Sequence, residues 1–319
     1  MADRVDPTPP TVSRIVRTDA PLWRLTSLRV GGPARFLARP KTPDAVGSLL
    51  QWAHEARLET AILAGGTNTI SPDRGYPGLV VHAGALRGVR IDGCRIIAAA
   101  GERLSAIVEA ACEAGLSGLE WAAGIPGTVG GALAMNAGAA DGDMSKISCE
   151  AVVQSADRSA IVPVDRLELG YRTSAVLTGR LPGVITEVRL ELRPGRRDAC
   201  LRRVQERLRE RAARLPDGAS AGCIFRNPPQ GPTAGELLDR AGCKGMRVGR
   251  ARVSERHANI VVNEGRENAS DVLRLMRRMR QRVRDRFGFD LEEEVVIMGR
   301  RGDAPSPPSA VNCAPPRER

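Results

Sequence analysis

Aromatic side chains are scarce in this sequence, since Phe, Trp and Tyr make up 3% of its 319 residues. The core must therefore be built mainly from Leu, Val, Ile and Ala. Lysine occurs only at Lys41, Lys146 and Lys244, so nearly all of the 48 basic residues are arginine. The net charge of +11 allows nucleic-acid binding, but the arginines are spread along the chain and aromatic platforms for stacked bases are few. A mildly basic cleft for an anionic small molecule explains the charge equally well.

Long apolar runs are also missing. No stretch approaches the roughly 18 uncharged residues of a membrane helix, and residues 1–17 lack the apolar core of a secretion signal. The seven cysteines form no C-x-x-C pair, which disfavours a disulfide framework or a zinc cluster and is typical of a reducing compartment. The three histidines have no metal-ligand spacing. We therefore expect a cytoplasmic protein that binds no metal, no membrane and no nucleic acid.

Helical and strand patterns mix without strict alternation, which favours an α+β fold over a doubly wound sheet. The composition shifts near residues 194–197, from glycine-rich, strand-rich sequence to arginine-rich, helical sequence, and we place a domain boundary there. Periodicity predicts helices over 44–58, 104–114, 198–215, 234–241 and 270–287, and a closing strand over 294–298.

The most informative stretch runs from Gly118 to Gly138 and contains six glycines in 21 residues with very little charge. A flexible linker of that glycine content would be polar and rich in serine. Glycine permits positive φ and lets a ligand approach the main chain. This apolar, sharply turned segment therefore indicates the wall of a site for a large, flat cofactor.

A second glycine-containing segment, Ala64–Thr69, follows a predicted strand. Successive backbone N–H groups in such a turn can form an anion-binding nest, with threonine hydroxyls as further donors. The segment is neither a dinucleotide fingerprint nor a P-loop, so by itself an ordinary tight turn explains it better. Its pairing with the Gly118–Gly138 segment favours a pyrophosphate ligand.

Three further positions carry side chains suited to catalysis. Arg172 lies between predicted elements, Cys223 lies among small residues before a turn, and Glu292, Glu293 and Glu294 are adjacent. Each has an ordinary explanation as well: a solvated arginine, a buried structural cysteine and a solvated charge run. A low thiol pKa would favour Cys223 as a proton donor or nucleophile. At the period of a strand, Glu293 points away from its two neighbours, so one of the carboxylates can project into a cleft.

Together these segments resemble the UDP-N-acetylenolpyruvoylglucosamine reductase family. The matching motifs occur in this order: Thr26–Ala34, Ala64–Asn68, Gly118–Gly138, Tyr171–Ser174, Ala221–Pro228, Ala241–Gly245, His257–Asn263 and Leu291–Val295, followed by Gly299. Each motif alone is weak, but their shared order and the intact Gly-Ile-Pro-Gly-Thr-Val-Gly-Gly segment make the resemblance specific over roughly residues 22–299.

The resemblance implies an FAD-binding region of the vanillyl-alcohol-oxidase type, made of two α+β subdomains, and a smaller C-terminal α+β substrate domain. We expect the FAD-binding domain over 18–195, split near residue 75, and the substrate domain over 196–300. Residues 1–17 and 301–319 are expected to be disordered tails. The short distance from Tyr171 to Gly222, about fifty residues, is typical of the class without an extra loop there.

The resemblance also implies a monomer with non-covalent FAD and with NADPH as co-substrate. NADPH would reduce the flavin, and the flavin would reduce the enolpyruvyl ether of UDP-N-acetylglucosamine to UDP-N-acetylmuramate for peptidoglycan precursor synthesis. Arg172 would stabilise the developing negative charge, and Glu294 would assist at the intermediate. The proton donor of the family is usually Ser, whereas this chain has Cys223. Because the reference pKa of a thiol is roughly 8.5, far below that of an alkyl alcohol, we hypothesise that Cys223 is the general acid.

Residues for binding carry over from the same motifs. The FAD pyrophosphate loop would be Gly65, Gly66, Thr67, Asn68 and Thr69, the second FAD wall would be Gly127, Thr128, Asn136, Ala137 and Gly138, and the substrate would contact Tyr171, Arg226, Asn227 and His257. Ordinary turn and surface positions are the alternative for these residues. Two rival functions stay open: another FAD-dependent sugar or lactone oxidoreductase of the same superfamily, and an arginine-rich nucleic-acid-binding protein.

Overall fold

The computed structural model describes residues 10–139, 141–265 and 268–299, which form three larger β-sheets with helices packed against them. The helices are α1 (Pro10–Ser13), α2 (Pro43–Glu55), α3 (Leu104–Glu113), α4 (Val129–Ala134), α5 (Arg197–Arg214), α6 (Ala234–Arg240) and α7 (Ala269–Phe287). The strands are β1 (Val16–Pro21), β2 (Pro33–Ala38), β3 (Thr60–Leu63), β4 (Thr69–Ile70), β5 (Tyr76–His82), β6 (Val89–Asp92), β7 (Arg95–Ala99), β8 (Leu116–Ser117), β9 (Gly138–Ala139), β10 (Gly142–Asp143), β11 (Ser148–Gln154), β12 (Ser159–Pro163), β13 (Val184–Glu191), β14 (Arg193–Pro194), β15 (Ala219–Cys223), β16 (Arg247–Val248), β17 (Ala251–Val253), β18 (Ile260–Asn263) and β19 (Val296–Ile297).

The first sheet has the order β1-β2-β5-β3, and β2, β5 and β3 run parallel. Helix α2 makes the crossover between β2 and β3. It begins where the Thr42 side chain accepts a hydrogen bond from the backbone N–H of Ala45, with Pro43 in the first turn. Its buried face carries Trp52, whose ring packs edge-on against Phe36 with 5.1 Å between centroids. The crossover thus fixes the end of β3, from which the Ala64–Thr69 loop starts.

The second sheet is antiparallel, with the order β12-β11-β13-β7-β6. Helices α3 and α4 pack against it in one apolar core. Helix α5 also belongs to this unit, because Cys200 is fully buried with its Sγ 3.7 Å from the carbonyl of Leu116, and Val204 packs on the same core. This packing holds the Gly118–Gly138 segment between the sheet and α5.

The third sheet, β15-β18-β17-β16, is antiparallel and packs against α6 and α7. Helix α7 buries residues three and four apart, namely Val272, Leu275, Met276, Met279 and Val283. The third sheet shares its core with Leu28, Val30 and Ile70 from the N-terminal part of the chain. The side-chain amide of Asn263 donates a hydrogen bond to the carbonyl of Leu28 at 2.9 Å, so the two parts are joined by both apolar and polar contacts.

The end of the described chain returns to the first sheet region. Strand β19 pairs in parallel with β4, so that Val296 lies opposite Thr69 and Ile297 opposite Ile70. The closing strand is therefore two residues long, shorter than the span 294–298 predicted from the sequence. The residues before it follow an irregular path, which places Glu294 next to the Ala64–Thr69 loop.

The domain limits predicted from the sequence need three corrections. Residues 10–17 are not a tail, because α1 forms there and β1 pairs with β2, while residues 1–9 and 301–319 lie outside the described residues. The split near 75 falls too early, because β5 completes the first sheet; the turn signals around 72–75 mark a connection within a sheet. The boundary near 195 also falls too early, because α5 packs on the second sheet and the third sheet begins after it.

The described residues contain no helix long and apolar enough to cross a bilayer.

Asp73 ties the first sheet region to the N-terminus of α7. Its carboxylate accepts hydrogen bonds from the backbone N–H groups of Ala269 at 2.5 Å and Ser270 at 2.9 Å. We expect Asp73→Ala to lower the free energy of unfolding by about 1–2 kcal/mol, because two helix N–H groups lose their acceptor. Asp44→Ala is the matched control, since Asp44 is an exposed carboxylate in the first turn of α2. Urea unfolding measures both variants, and equal losses would contradict a specific role for Asp73.

Candidate functional site

A cavity of about 480 Å³ lies between the loop after β3 and the glycine-rich segment before α4. Gly65 and Thr67 line one side, and residues 124–128 line the other. Two exposed arginines, Arg87 and Arg103, lie at the same cavity. Glycine and other small residues thus make up much of the lining, and the two arginines add positive charge.

The two loops approach each other so closely that side chains are excluded. A Cβ added to Gly65 would lie 2.8 Å from the Cα of Gly127, and one added to Gly127 would lie 2.9 Å from Oγ1 of Thr67. Gly127 also has a φ of +118°, which L side chains rarely adopt. The hydroxyl of Thr67 donates to the carbonyl of Pro126 at 3.3 Å and joins the loops. These contacts explain the glycine content in physical terms.

The predicted cofactor residues divide into two groups. Gly65, Thr67, Gly127 and Thr128 line the cavity, and Gly66 (φ +63°) forms the turn beside them. Asn136, Ala137 and Gly138 lie elsewhere, beside the turn Gly170–Thr173. The Asn136 amide donates to the carbonyl of Gly170 at 2.9 Å, and its oxygen accepts from Ser145 N–H at 3.0 Å. The side-chain amide of Asn68 donates to the carbonyl of Glu294, and Thr69 lies in β4.

Arg172 and Glu294 form an ion pair, with 3.0 Å between Arg172 Nε and Glu294 Oε1. Their side chains are only 23% and 14% exposed. The pair is close in distance but not aligned as a hydrogen bond, since no acceptor lies along the Arg172 Nε–H direction. Arg172 Nη2 also donates to the carbonyl of Gly138 at 3.1 Å. Burial raises the pKa of Glu294, although Arg172 and Arg226 act in the opposite direction.

Arg172 has a left-handed backbone conformation with a φ of +56°. It lies in a turn in which Gly170 and Thr173 exchange backbone hydrogen bonds. Such a conformation is costly for a residue with a side chain. Asn136 holds the turn from one side, and Arg226 donates to the carbonyl of Arg172 at 3.2 Å.

Cys223 ends β15 and is half-buried near this ion pair. Burial and, to a smaller extent, the negative charge of Glu294 raise the pKa of Cys223 to about 11 against the lowering effect of Arg172 and Arg211. The low thiol pKa that would favour an activated nucleophile is therefore not found at Cys223. A thiol with a raised pKa stays protonated at neutral pH, which suits a proton donor better than a nucleophile. Arg172, Cys223 and Glu294 are thus brought together, and we refer to them below as the Arg–Cys–Glu cluster.

Two hydrogen bonds of its main chain hold Glu294 in this cluster. Its backbone N–H donates to the carbonyl of Ile224 at 2.8 Å, and its carbonyl accepts from the side-chain amide of Asn68 at 3.0 Å. Of the other two carboxylates, Glu292 is exposed and Glu293 pairs with Arg280 at 2.7 Å. The three side chains therefore have three different environments, which the period of a regular strand does not describe.

The predicted substrate residues surround the cluster at different distances. Tyr171 is 55% exposed, and the Arg172 guanidinium lies 5.6 Å from its ring centroid. The Asn227 side chain accepts from the backbone N–H of Ala234 at 3.1 Å and so shapes the start of α6. Burial lowers the pKa of His257, and the charges of Arg214 and Lys244 lower it further. His257 therefore lies in a cationic region.

Three contributors were not singled out from the sequence. Arg87 and Arg103 lie at the cavity, and Arg211 of α5 interacts electrostatically with Cys223 and Arg172. Their sequence signal is weak, because each is one arginine among many. Among the described residues, no group of three or more His, Cys, Asp or Glu side chains could hold a metal ion.

Two family models match this chain, and each covers one part of the site. Residues 34–156 match the FAD binding domain, and residues 214–298 match the C-terminal domain of UDP-N-acetylenolpyruvoylglucosamine reductase. The first range contains the loops that line the cavity, and the second contains Cys223 and Glu294. The second range also begins where α5 ends, which agrees with the later boundary seen in the fold.

Individual relatives match over almost their whole length. The UDP-N-acetylenolpyruvoylglucosamine reductase of Synechococcus sp. (strain JA-3-3Ab) is 40% identical over 292 residues, covering 89% of this chain and 91% of the relative. That of Anaeromyxobacter sp. (strain Fw109-5) is 43% identical over 286 residues, covering 89% of each chain. The crystal structure of the reductase (MurB) from Thermus caldophilus superposes with a TM-score of 0.75 at 36% identity, covering 88% of this chain and 97% of that one.

These matches confirm the predicted α+β architecture with an FAD-binding region of the vanillyl-alcohol-oxidase type and a C-terminal α+β domain. Since relatives of this identity align along nearly all of the chain, it belongs to the UDP-N-acetylenolpyruvoylglucosamine reductase family and is an FAD-dependent oxidoreductase.

Proposed function

We propose that this protein reduces the enolpyruvyl ether of UDP-N-acetylglucosamine to UDP-N-acetylmuramate with NADPH, in peptidoglycan precursor synthesis. The observation that carries the proposal is the meeting of a cation, a protonated thiol and a carboxyl group in the Arg–Cys–Glu cluster. These are the groups needed to add a proton to a carbon beside a carboxylate. The names of the relatives supply the substrate class.

The cavity fits FAD on physical grounds. Among the described residues, the backbone N–H groups of Gly66 and Thr67 donate to no carbonyl, so they are free to face a pyrophosphate. Arg87 and Arg103 supply positive charge, and the buried Nδ1 of His82, which also lines the cavity, has no hydrogen-bond partner. When bound, FAD would take a hydride from NADPH and deliver one to the substrate.

When the enolpyruvyl substrate is reduced, the protein itself would contribute the proton. Reduction adds a hydride to the terminal vinyl carbon and a proton to the adjacent carbon, and the C=C bond becomes a single bond. Cys223 would give the S–H proton to that adjacent carbon and become a thiolate, which solvent reprotonates. Its raised pKa keeps the proton in place until negative charge develops on the carbon.

Arg172 and Glu294 would act on the same centre. The guanidinium of Arg172 would stabilise negative charge on the carbon and its carboxylate, and a fixed charge in a partly buried site is effective because little water competes. Glu294 holds Arg172 at 3.0 Å. Burial raises the pKa of Glu294, which favours its protonated form more than in an exposed carboxyl group. Asn68 keeps the carboxyl group in position through the Glu294 carbonyl.

The diphosphate of the substrate would bind further out. Arg226 contacts the cluster through the carbonyl of Arg172, while His257 lies among the charges of Arg214 and Lys244. Together these groups form a cationic region suited to a nucleoside diphosphate. Tyr171, half exposed beside Arg172, and Asn227, at the start of α6, would complete the contacts.

FAD binding should depend on the close packing of the two loops. We expect Gly127→Ala to weaken FAD binding by about tenfold or more, because the new Cβ displaces Thr67 from the loop contact. The control is Gly88→Ala, which introduces a Cβ at a similar φ of +138° but meets nothing within 4 Å. Titration of the apoproteins with FAD, followed by flavin fluorescence, measures the difference. Equal weakening in both variants would contradict a role for the Gly127 contact.

Proton donation by Cys223 is tested by the rate at which the substrate reoxidises the flavin. In single-turnover experiments, the enzyme is reduced anaerobically by NADPH and its flavin is then reoxidised by the enolpyruvyl substrate. We expect Cys223→Ala to slow reoxidation by about 10²–10⁴-fold and to leave reduction by NADPH unchanged. Cys223→Ser is the conservative variant, because its hydroxyl can donate a proton from the same position, and it should retain measurable reoxidation.

An unchanged reoxidation rate in Cys223→Ala would remove Cys223 from the mechanism. The wild-type protein also discriminates between the rival functions. Bleaching by NADPH without reoxidation by the enolpyruvyl substrate would favour another FAD-dependent sugar or lactone oxidoreductase. A colourless protein that FAD cannot reconstitute would favour nucleic-acid binding.

The raised pKa of Cys223 determines how readily its thiol should be alkylated. A thiol whose folded pKa is raised to about 11 is almost entirely protonated at neutral pH, and only the thiolate is alkylated readily. Inactivation by iodoacetamide should therefore be slow at pH 7 and about tenfold faster for each pH unit up to pH 9. Bound substrate should slow it, and Cys223→Ser should resist it. Rapid, pH-independent inactivation would mean that the thiol is already ionised.

A further inference from the structure

Arg211 is a partly buried cation of helix α5. It lies near the end of α5 and makes no ion pair within the described residues, and its Nε is buried without a hydrogen-bond acceptor. Two other arginines of the helix, Arg203 and Arg207, pair with Glu120 and Glu210. Burial lowers the pKa of Arg211, yet a guanidinium stays protonated in proteins. A guanidinium nitrogen that is buried without an acceptor is unfavourable, so the position of Arg211 requires another explanation.

The side chain lies where the cavity and the Arg–Cys–Glu cluster meet. A Cβ added to Gly124 would lie 3.0 Å from Cδ and 3.3 Å from Nε of Arg211, so the side chain covers the backbone of a cavity-lining residue. Its charge also interacts with Cys223 and Arg172. Arg211 therefore lies against a cavity-lining residue and close enough to the thiol to interact with it electrostatically.

The charges around the thiol do not balance. Arg172 is offset by Glu294 at 3.0 Å, whereas no carboxylate of the described residues forms an ion pair with Arg211. Arg226, which donates to the carbonyl of Arg172 and interacts with Glu294, adds a further positive charge. The surroundings of Cys223 thus carry more positive than negative charge when Glu294 is ionised, and an anionic group of a ligand would reduce this excess.

We propose that Arg211 binds the carboxylate of the enolpyruvyl group. This inference rests on the proposed function, in which Cys223 protonates the carbon that bears the carboxylate. A group one bond from that carbon lies within reach of the cations around the thiol, and a guanidinium is suited to two parallel hydrogen bonds with a carboxylate. Arg211 then orients the substrate through its carboxylate, and Arg172 stabilises the negative charge that develops during the reduction.

The test compares two ligands that differ in the carboxylate. UDP-N-acetylglucosamine and its enolpyruvyl ether are titrated into the oxidised FAD-containing enzyme, and the flavin absorbance change gives each Kd. We expect Arg211→Gln to weaken binding of the enolpyruvyl ether by roughly 10- to 100-fold and to leave the Kd of UDP-N-acetylglucosamine unchanged. Arg211→Lys should fall between wild type and Arg211→Gln, because it keeps the charge but loses the planar fork.

Arg209→Gln is the matched control, because it removes the same charge from an exposed position on the same helix and should change neither Kd. Equal losses for both ligands in Arg211→Gln would assign Arg211 to the diphosphate or to the fold and would overturn the proposal, as would no loss for either. Wild-type reoxidation by the enolpyruvyl ether tests the proposed function separately. If it occurs while Arg211→Gln binds both ligands normally, only the role of Arg211 is wrong.

Discussion

The site depends on a parallel pairing of only two residues in each strand, between β4 and β19. Through it the end of the described chain returns to the loop after β3, and Glu294 comes to lie beside Asn68. The carbonyl of Ile224, one residue after Cys223, accepts from the Glu294 N–H at the same place. The pairing thus adds to the other contacts that hold the cavity and the Arg–Cys–Glu cluster in a fixed relation. The shared core around Leu28, Val30 and Ile70 keeps the short pairing in register.

Burial has more influence on the chemistry of the cluster than its charges do. Two arginines near Cys223 favour the thiolate and two near Glu294 favour the carboxylate, yet both pKa values are raised. Removal of water thus outweighs the arginines at both groups. The same low exposure makes an uncompensated cation such as Arg211 sensitive to the charge of a ligand. In the proposed mechanism, proton donation and anion binding therefore both depend on this low exposure.

The sequence predicts some features of this site directly and others only by resemblance. The close approach of the two loops follows from the glycine content around Gly65 and Gly127, because only glycine tolerates such contacts. No periodicity brings Arg172, Cys223 and Glu294 together, since they come from a turn, a strand end and an irregular segment; only the family motifs identify them. The direction of the Cys223 pKa was not predictable either, because it depends on burial by distant segments. Arg211 is hidden by the large number of arginines in α5.

The left-handed backbone of Arg172 places stability and activity in opposition at one position. A residue with a side chain costs about 1 kcal/mol or more in this conformation, and glycine would relieve that cost. The relief would remove the cation that pairs with Glu294. Selection for stability alone would thus favour glycine at this position, whereas the proposed role in the reaction requires the arginine. The turn held by Asn136 and Arg226 is what makes the strained conformation tolerable.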